Sequence, residues 1–282
     1  MKTNMARSLL LSLVTLSLNA NAFVLYSPFP SQIEEETGIS IPNARFVNGN
    51  RKVLRSMRPW TQDPNRPSEM SVDNALVNEI INAKVTDLLI FKTQEPDRDD
   101  IAIQREAFID KGFKEERITD IPFPWKGFTD FKEVCKMTLK ALRVLKEVKE
   151  DTTEDRKILF HCTVGEDRTG YLAALFTLLE EENLKSNPQR VKEIFENEAC
   201  RGGYEGGNKN KPRAVKLSIR EALTPLFTKM AFKIQRGYIT WEKLNDRQCD
   251  IDPANFESYD YDENFNPEDY TCKVSPDFPE EE

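Results

Sequence analysis

A short apolar run, a polar loop and an apolar helical segment follow one another near the middle of this chain. The run spans residues 157–160, the loop 161–170 and the helical segment 171–179, a pattern typical of a buried strand that leads into a buried helix. In that setting the loop N–H groups and the positive end of the helix dipole converge on one point. The sequence therefore predicts an anion-binding loop between a strand and a helix.

The loop sequence, HCTVGEDRTG, places a cysteine and an arginine on either side of five residues. A free thiol has a pKa of about 8.5, but at a helix N-terminus beside an arginine it falls to roughly 3.5–7.5. Cys162 should therefore be a thiolate nucleophile near neutral pH, and Arg168 can hold two phosphate oxygens at once. The residues expected to bind phosphate are Thr163, Val164, Gly165, Glu166, Asp167 and Arg168.

Strand-length apolar runs alternate with helical patterns along the chain. The runs lie near residues 44–47, 53–55, 87–91, 118–121 and 157–161, and the helical patterns near 71–83, 101–111, 130–148 and 168–182. This order predicts an α/β fold with a central, largely parallel sheet flanked by helices. Ligands of such sheets bind beyond the carboxyl ends of the strands, which is where the sequence places Cys162.

The loop resembles the signature loop of the cysteine-dependent protein tyrosine phosphatase superfamily, in its bacterial dual-specificity-like branch. The HC start, the intervening residues and the RTG ending are all present. A weaker likeness runs from near residue 43 to near residue 235, including an RS-x-x-P segment at 55–59 and an "IP" turn at 121–122. The resemblance implies a dual-specificity-phosphatase-like fold and a metal-independent phosphomonoester hydrolase that forms a cysteinyl-phosphate and needs no cofactor.

The resemblance also implies roles for two neighbours of the nucleophile. His161 would lie behind the loop and help to hold Cys162 as a thiolate, and Thr169 would hydrogen-bond the sulfur and ease its departure. His161 is the only histidine in the chain. That count excludes mechanisms that need two imidazoles and argues against a histidine-rich metal site, so no metal is expected.

The proton donor is open among three aspartates. Relatives usually carry an aspartate about three residues after the "IP" proline, but Trp125 stands near that position. Asp167 is the first choice, because a DRT ending resembles the myotubularin lipid phosphatases and a bacterial group that acts on phosphotyrosine and phosphoinositides. Asp120 is second and Asp130 third. Asp167 could instead orient Arg168 or cap the helix.

The substrate is predicted to be a phosphorylated protein, or an inositol polyphosphate or phosphoinositide. The glycine-rich segment, residues 201–213, either folds over the pocket to meet extra phosphates or is a mobile, solvated loop. Phosphotyrosine would need an aromatic wall, for which Trp125, Phe123 and Tyr204 are candidates. Glu166 places a negative charge in the loop, which argues against a polyphosphate. The candidate substrate-binding residues are Trp125, Lys126, Lys209, Lys211 and Arg213.

Acidic residues are concentrated near the C-terminal end. Residues 250–282 hold 12 aspartates and glutamates against Lys273 alone, in a chain of net charge −8. This distribution argues against nucleic acid as a partner and leaves room for a locally basic pocket on the rest of the chain. We expect a phosphatase domain with an N-terminal extension at 23–245 and an acidic tail at 246–282.

Residues 1–22 have the pattern of a cleavable secretory signal. Lys2 and Arg7 precede an apolar run, and Ala20-Asn21-Ala22 ends it. The run is shorter than the roughly 20 residues that cross a bilayer. We expect a soluble exported protein, periplasmic or secreted, without a membrane span; an uncleaved N-terminal anchor is the alternative.

An oxidising compartment favours disulfides. The four cysteines other than Cys162 allow three pairings. Cys249–Cys272 is the expected bridge, since it would hold the acidic tail, with Cys135–Cys200 as a second. Cys135 could equally be a core thiol.

Two other classes of protein compete with the hydrolase. One is a catalytically weak module that only recognises phosphate groups, although both Cys162 and Arg168 are present. The other is a sulfurtransferase-like thiol enzyme, against which the HC start and the RTG ending speak. Turnover of thiosulfate would separate the sulfurtransferase from the hydrolase.

Overall fold

The computed structural model describes residues 34–63, 66–94, 99–128, 130–253 and 265–274. The predicted signal segment, 1–22, lies outside these ranges, as does part of the acidic tail. Within the described part of that tail, Phe265 and Tyr270 are buried against the rest of the chain. The domain boundary at residue 245 stays a prediction.

The centre of the fold is a five-stranded sheet in the order β1-β2-β7-β5-β6, beside a separate hairpin of β3 and β4. The described strands are β1 (Arg45–Val47), β2 (Asn50–Ser56), β3 (Trp60–Asp63), β4 (Arg66–Val72), β5 (Asp87–Phe91), β6 (Ile118–Ile121) and β7 (Ile158–His161). Only β1 runs antiparallel to its neighbour in the large sheet. The predicted α/β fold with a largely parallel sheet is confirmed.

Helices cover both faces of the sheet. They are α1 (Glu34–Thr37), α2 (Asn74–Asn82), α3 (Asp100–Ile109), α4 (Phe131–Glu150), α5 (Asp167–Glu180), α6 (Pro188–Glu198), α7 (Arg213–Ser218) and α8 (Thr224–Gln235). Successive strand residues alternate between two apolar cores. Leu88 and Ile90 face the core of α2 and α3, whereas Leu89 and Phe91 face the core of α4, α5, α6 and α8. No described helix is long and apolar enough to cross a membrane.

The helix α5 lies deepest. Every residue from Asp167 to Leu178 is buried, which explains why its sequence is apolar on all sides. The helical pattern predicted near residues 71–83 corresponds to α2, which begins at Asn74, because β4 extends to Val72. Asp73 sets that start, since its carboxylate accepts hydrogen bonds from the N–H groups of Ala75 and Leu76.

The expected disulfide pairing was wrong. The bridges are Cys135–Cys249 and Cys200–Cys272, with Cα–Cα distances of 5.7 and 5.3 Å. Cys135 lies on the buried side of α4, and residues 244–250 run along that helix, where Arg143 donates to the Leu244 carbonyl. Cys200 follows α6, against which Tyr270 packs through Phe195. Each bridge therefore joins a C-terminal cysteine to the body of the fold, and Cys162 is the free cysteine.

We expect the double variant Cys135→Ser/Cys249→Ser to lose about 4–5 kcal/mol of unfolding free energy, because the bridge joins cysteines 114 positions apart. Guanidinium unfolding monitored by tryptophan fluorescence measures the loss. Wild type with the bridges reduced should fall at least as far. An unchanged midpoint in the double variant would contradict the pairing.

Candidate active site

The predicted nucleophile lies at the carboxyl end of the middle strand. β7 ends at His161 and α5 begins at Asp167, so the signature loop, residues 161–170, spans the strand end and the first helical turn. Cys162 is 2% exposed and Arg168 7%. The sequence-based placement of both residues beyond the strand end is therefore correct.

Two kinds of contact act on the Cys162 thiol. Burial by itself would raise its pKa, but the Arg168 guanidinium and hydrogen bonds from Thr169 outweigh burial and lower the pKa below the ordinary value. The Thr169 hydroxyl also accepts a hydrogen bond of 2.9 Å from the Cys162 N–H. The site thus favours a thiolate, the form that attacks phosphorus.

His161 is fully buried behind the nucleophile. Its Nδ1 lies 2.7 Å from the Cys162 carbonyl oxygen, and its Nε2 lies 2.7 Å from Nε2 of Gln104 on α3. Because a carbonyl only accepts and an amide nitrogen only donates, the imidazole carries its proton on Nδ1. Burial lowers the pKa of His161 to about 3, so the ring is neutral at physiological pH. The sequence carried no signal for Gln104.

Buried side chains from the start of the sheet hold the loop backbone. The Gly165 carbonyl accepts hydrogen bonds of 2.8 Å from Arg55 Nη2 and 2.7 Å from Asn43 Nδ2. Gly165 has a φ of +73°, and a Cβ there would lie 2.5 Å from the Ser56 carbonyl oxygen. Only glycine fits this close approach. The roles of Asn43 and Arg55 were missed from the sequence, although the segments that hold them were noticed.

Arg168 connects the signature loop to the segment after β6. Its guanidinium donates to the Phe123 carbonyl at 3.2 Å and to the Thr163 hydroxyl at 3.1 Å. Trp125 and Lys126 follow in the same segment, with Lys126 Nζ 4.9 Å from the Trp125 ring centroid. Trp125 is half-buried and Lys126 exposed, and the hydrogen bond between Phe123 and Arg168 brings the segment that carries them to Arg168.

Two of the candidate aromatic-wall residues are not available to a substrate. Phe123 is fully buried and stacks between Phe91 and Tyr171. Tyr204 is also fully buried, and its ring packs edge-on against Phe195. Both prefer the core because aromatic rings bury a large apolar area.

The three aspartates considered as proton donors have different surroundings. Asp130 caps α4 by accepting a 2.8 Å hydrogen bond from the Lys132 N–H, as expected for a residue of the first helical turn. Asp120 lies on β6 and pairs with Arg105 at 2.9 Å. Burial raises the Asp120 pKa, and Arg105 only partly opposes this. Since Asp120 and His161 both register with Ile90 of β5, they are two strands apart, roughly 10 Å.

Asp167, the first choice, opens α5 beside Arg168. Its Oδ1 accepts hydrogen bonds from the Lys211 ammonium and, at 3.0 Å, from the Glu205 N–H. Asp167 therefore contacts the glycine-rich segment directly. Of the candidates, it is the one within the signature loop.

Lys211, a candidate substrate-binding residue of the glycine-rich segment, lies in the interior. This lysine is 8% exposed, and its ammonium pairs with Asp167 and with Glu166, the latter at 2.9 Å. Residues 202–208 are buried as well. Lys209 is half-buried, and only Arg213 of the predicted substrate-binding lysines and arginines in this segment is exposed.

Glu205 joins this segment to a disulfide. Its backbone N–H reaches Asp167, while its carboxylate accepts a 3.0 Å hydrogen bond from the Cys272 N–H and pairs with Arg220. Glu205 has a φ of +44°, which is uncommon for a residue with a side chain. Arg220 lies in a π-helical stretch between α7 and α8. These contacts hold a strained backbone against the start of α5.

A family model described as the tyrosine phosphatase family matches residues 72–181, a range that includes the whole signature loop. Residues 72–181 thus match the tyrosine phosphatase family, as the signature loop predicts, and the prediction of a phosphatase is confirmed. The match begins in β4 and ends just after α5. No curated protein matches the chain.

Several solved structures resemble the fold at low identity. Tk-PTP in its active form has a TM-score of 0.39 and 15% identity, over 64% of this chain and 96% of that one. TpbA of P. aeruginosa in complex with pTyr has 0.37 and 18%, over 69% and 94%. The core catalytic domain of the PP-IP phosphatase SIW14 from S. cerevisiae, in complex with citrate, has 0.34 and 15%, over 64% and 85%.

We expect iodoacetamide to alkylate Cys162 with a pH midpoint below that of an ordinary cysteine, because only the thiolate reacts. Thr169→Val removes a hydrogen bond to the sulfur, so its midpoint should rise. Mass spectrometry of the alkylated peptide across a pH series measures both. The control Thr240→Val, whose hydroxyl bonds Glu242 instead, should behave like wild type. Equal midpoints in wild type and Thr169→Val would contradict the role of Thr169.

Proposed function

We propose that the protein hydrolyses phosphomonoesters without a metal ion, through a cysteinyl-phosphate intermediate. The observation that carries the proposal is the geometry of the signature loop: Cys162 directly follows β7, its N–H donates to the Thr169 hydroxyl in the first turn of α5, and Arg168 lies in that turn. A thiolate and a guanidinium at a helix N-terminus supply a nucleophile and a binding site for phosphate oxygens. The neutral imidazole of His161 adds no proton to this chemistry.

The proposed reaction has two steps. The Cys162 thiolate attacks phosphorus opposite the leaving oxygen; a P–S bond forms, the P–O bond breaks, and the leaving oxygen takes a proton from an acid. Arg168 and the loop N–H groups stabilise the equatorial oxygens. Water then attacks phosphorus and gives a proton to the carboxylate left on that acid, the P–S bond breaks, phosphate leaves and the Cys162 thiolate is regenerated. Thr169 stabilises the departing sulfur.

Asp167 is the proposed proton donor in the first step. Its support is position, because it lies in the signature loop next to Arg168, whereas Asp120 is two strands from His161 and paired with Arg105. Oδ1 of Asp167 already accepts two hydrogen bonds from the protein. The proton would therefore sit on Oδ2.

Phosphotyrosine-type substrates are the proposed first class, and inositol polyphosphates or phosphoinositides the second. Trp125 and Lys126 follow Phe123, whose carbonyl accepts a hydrogen bond from Arg168. An indole ring and an ammonium are therefore available near the bound phosphate. Exposed Lys126 and Arg213 favour a substrate with further phosphates. Glu166 does not oppose that class, since its carboxylate is buried against Asn208 and Lys211.

Export to an oxidising compartment is part of the proposal. Its support is the pair of disulfides, Cys135–Cys249 and Cys200–Cys272. Structural disulfides persist in secreted and periplasmic proteins and are rare in the cytosol of most organisms.

We expect phosphate release from a phosphotyrosine peptide, a phosphoinositide or inositol hexakisphosphate, with EDTA present, and none from Cys162→Ser. The serine variant lacks the thiolate but keeps the loop. A malachite green assay measures release, and the order of rates ranks the substrate classes. Release by Cys162→Ser would contradict the covalent mechanism. If no phosphate is released from any of the three substrates, the binding module is favoured. Turnover of thiosulfate would favour the sulfurtransferase.

We expect Asp167→Asn to slow phenyl phosphate hydrolysis by about 100-fold or more while affecting p-nitrophenyl phosphate much less. A poor leaving group needs the proton, whereas nitrophenolate leaves without it. Steady-state kcat for both esters measures the difference, and Asp120→Asn is the matched variant. If the larger loss on phenyl phosphate appears in Asp120→Asn, the assignment to Asp167 is wrong.

A further inference from the structure

The signature loop holds an unusual amount of negative charge for a site that must bind a phosphate dianion. Glu166 and Asp167 precede Arg168 directly, and the Cys162 thiolate adds a third negative charge. Arg168 is the single cation within the loop. Like charges at these short distances repel strongly in a partly buried site, so the loop alone would disfavour its substrate.

A buried lysine from outside the loop lies against both carboxylates. Lys211 Nζ is 2.9 Å from Glu166 Oε2, hydrogen-bonds Asp167 Oδ1 and lies 2.8 Å from the Gly203 carbonyl oxygen. An ammonium has three N–H donors, and these three acceptors match them. A lysine this deeply buried is rare unless it is paired.

Both carboxylates have further partners in the glycine-rich segment. Glu166 is 2% exposed, and its other oxygen accepts a 2.9 Å hydrogen bond from Asn208 Nδ2. Asp167 Oδ1 accepts from the Glu205 N–H. All these partners belong to the glycine-rich segment. Both carboxylates are therefore hydrogen-bonded to the same segment outside the signature loop.

We propose that Lys211 is a positioning residue that neutralises Glu166, and Asp167 whenever that carboxyl is ionised, and so allows the signature loop to bind a phosphate dianion. The inference rests on the proposed function of the same loop. Lys211 does not touch the substrate; it acts through the two carboxylates. The glycine-rich segment thereby supplies a cation that the loop sequence lacks.

The test uses inorganic phosphate binding by the full chain in the Cys162→Ser background, measured by isothermal titration calorimetry. Lys211→Met should weaken binding at least about tenfold, because both carboxylates lose their counter-ion. Adding Glu166→Gln to Lys211→Met should restore most of the affinity. A role in packing alone would not respond to this removal of charge.

Lys229→Met is the matched control. Lys229 pairs with Asp252 at 2.8 Å on α8, so its loss removes an ion pair without touching the loop, and phosphate affinity should stay within about twofold of the parent. If Lys229→Met weakens binding as much as Lys211→Met, or if Glu166→Gln brings no recovery in a folded double variant, the proposal is overturned.

Two further measurements cover other failures. Should Lys211→Met not fold, the single variant Glu166→Gln, which keeps Lys211 paired with Asp167, must bind phosphate more tightly than its parent, and equal or weaker binding would refute the role. Phosphate binding without turnover of any ester by the Cys162-containing protein would overturn the hydrolase proposal alone. No phosphate binding by the Cys162→Ser protein would overturn both.

Discussion

The candidate site depends on how the Gly165 carbonyl is held. Arg55 and Asn43 both donate to it, and neither belongs to the loop. The register of the sheet makes this possible: Arg55 of β2 lies opposite Phe160 of β7, and Ser56 lies opposite His161. A shift of one residue between β2 and β7 would turn the Arg55 side chain to the other face. The pairing of β2 with β7 therefore determines the conformation of the signature loop.

The local part of the site could be predicted from the sequence. The apolar run before His161 and the apolar helix after Arg168 place Cys162 at a strand end, because all these features lie within one continuous segment. The partners of that segment could not be predicted in the same way. Gln104 lies 57 positions from His161, and Arg55 lies 110 positions from Gly165. Contacts over such separations depend on the order of strands, which periodicity does not give.

The burial of the glycine-rich segment could not be predicted from its composition. A segment with many glycines and lysines is typical of an exposed loop. Here, however, the glycines allow close contact with the backbone of neighbouring segments. A Cβ at Gly207 would lie 2.1 Å from the Cys200 carbonyl oxygen, and one at Gly206 would lie 2.2 Å from that of Cys272. The disulfide pairing was missed for a related reason. Cys249 was the expected anchor of the tail, whereas Cys272 is bonded to Cys200 and packs against this segment.

The contact between Glu205 and Cys272 links the site to the order in which the chain is made. Cys272 is joined to Cys200 and donates to Glu205, whose own N–H reaches Asp167. A ribosome has completed the whole signature loop about a hundred residues before it reaches position 272. The support of Asp167 is thus complete only after the segment that carries Cys272 has been synthesised and oxidised. A nascent or reduced chain would therefore contain Cys162 before the contacts that support Asp167 have formed.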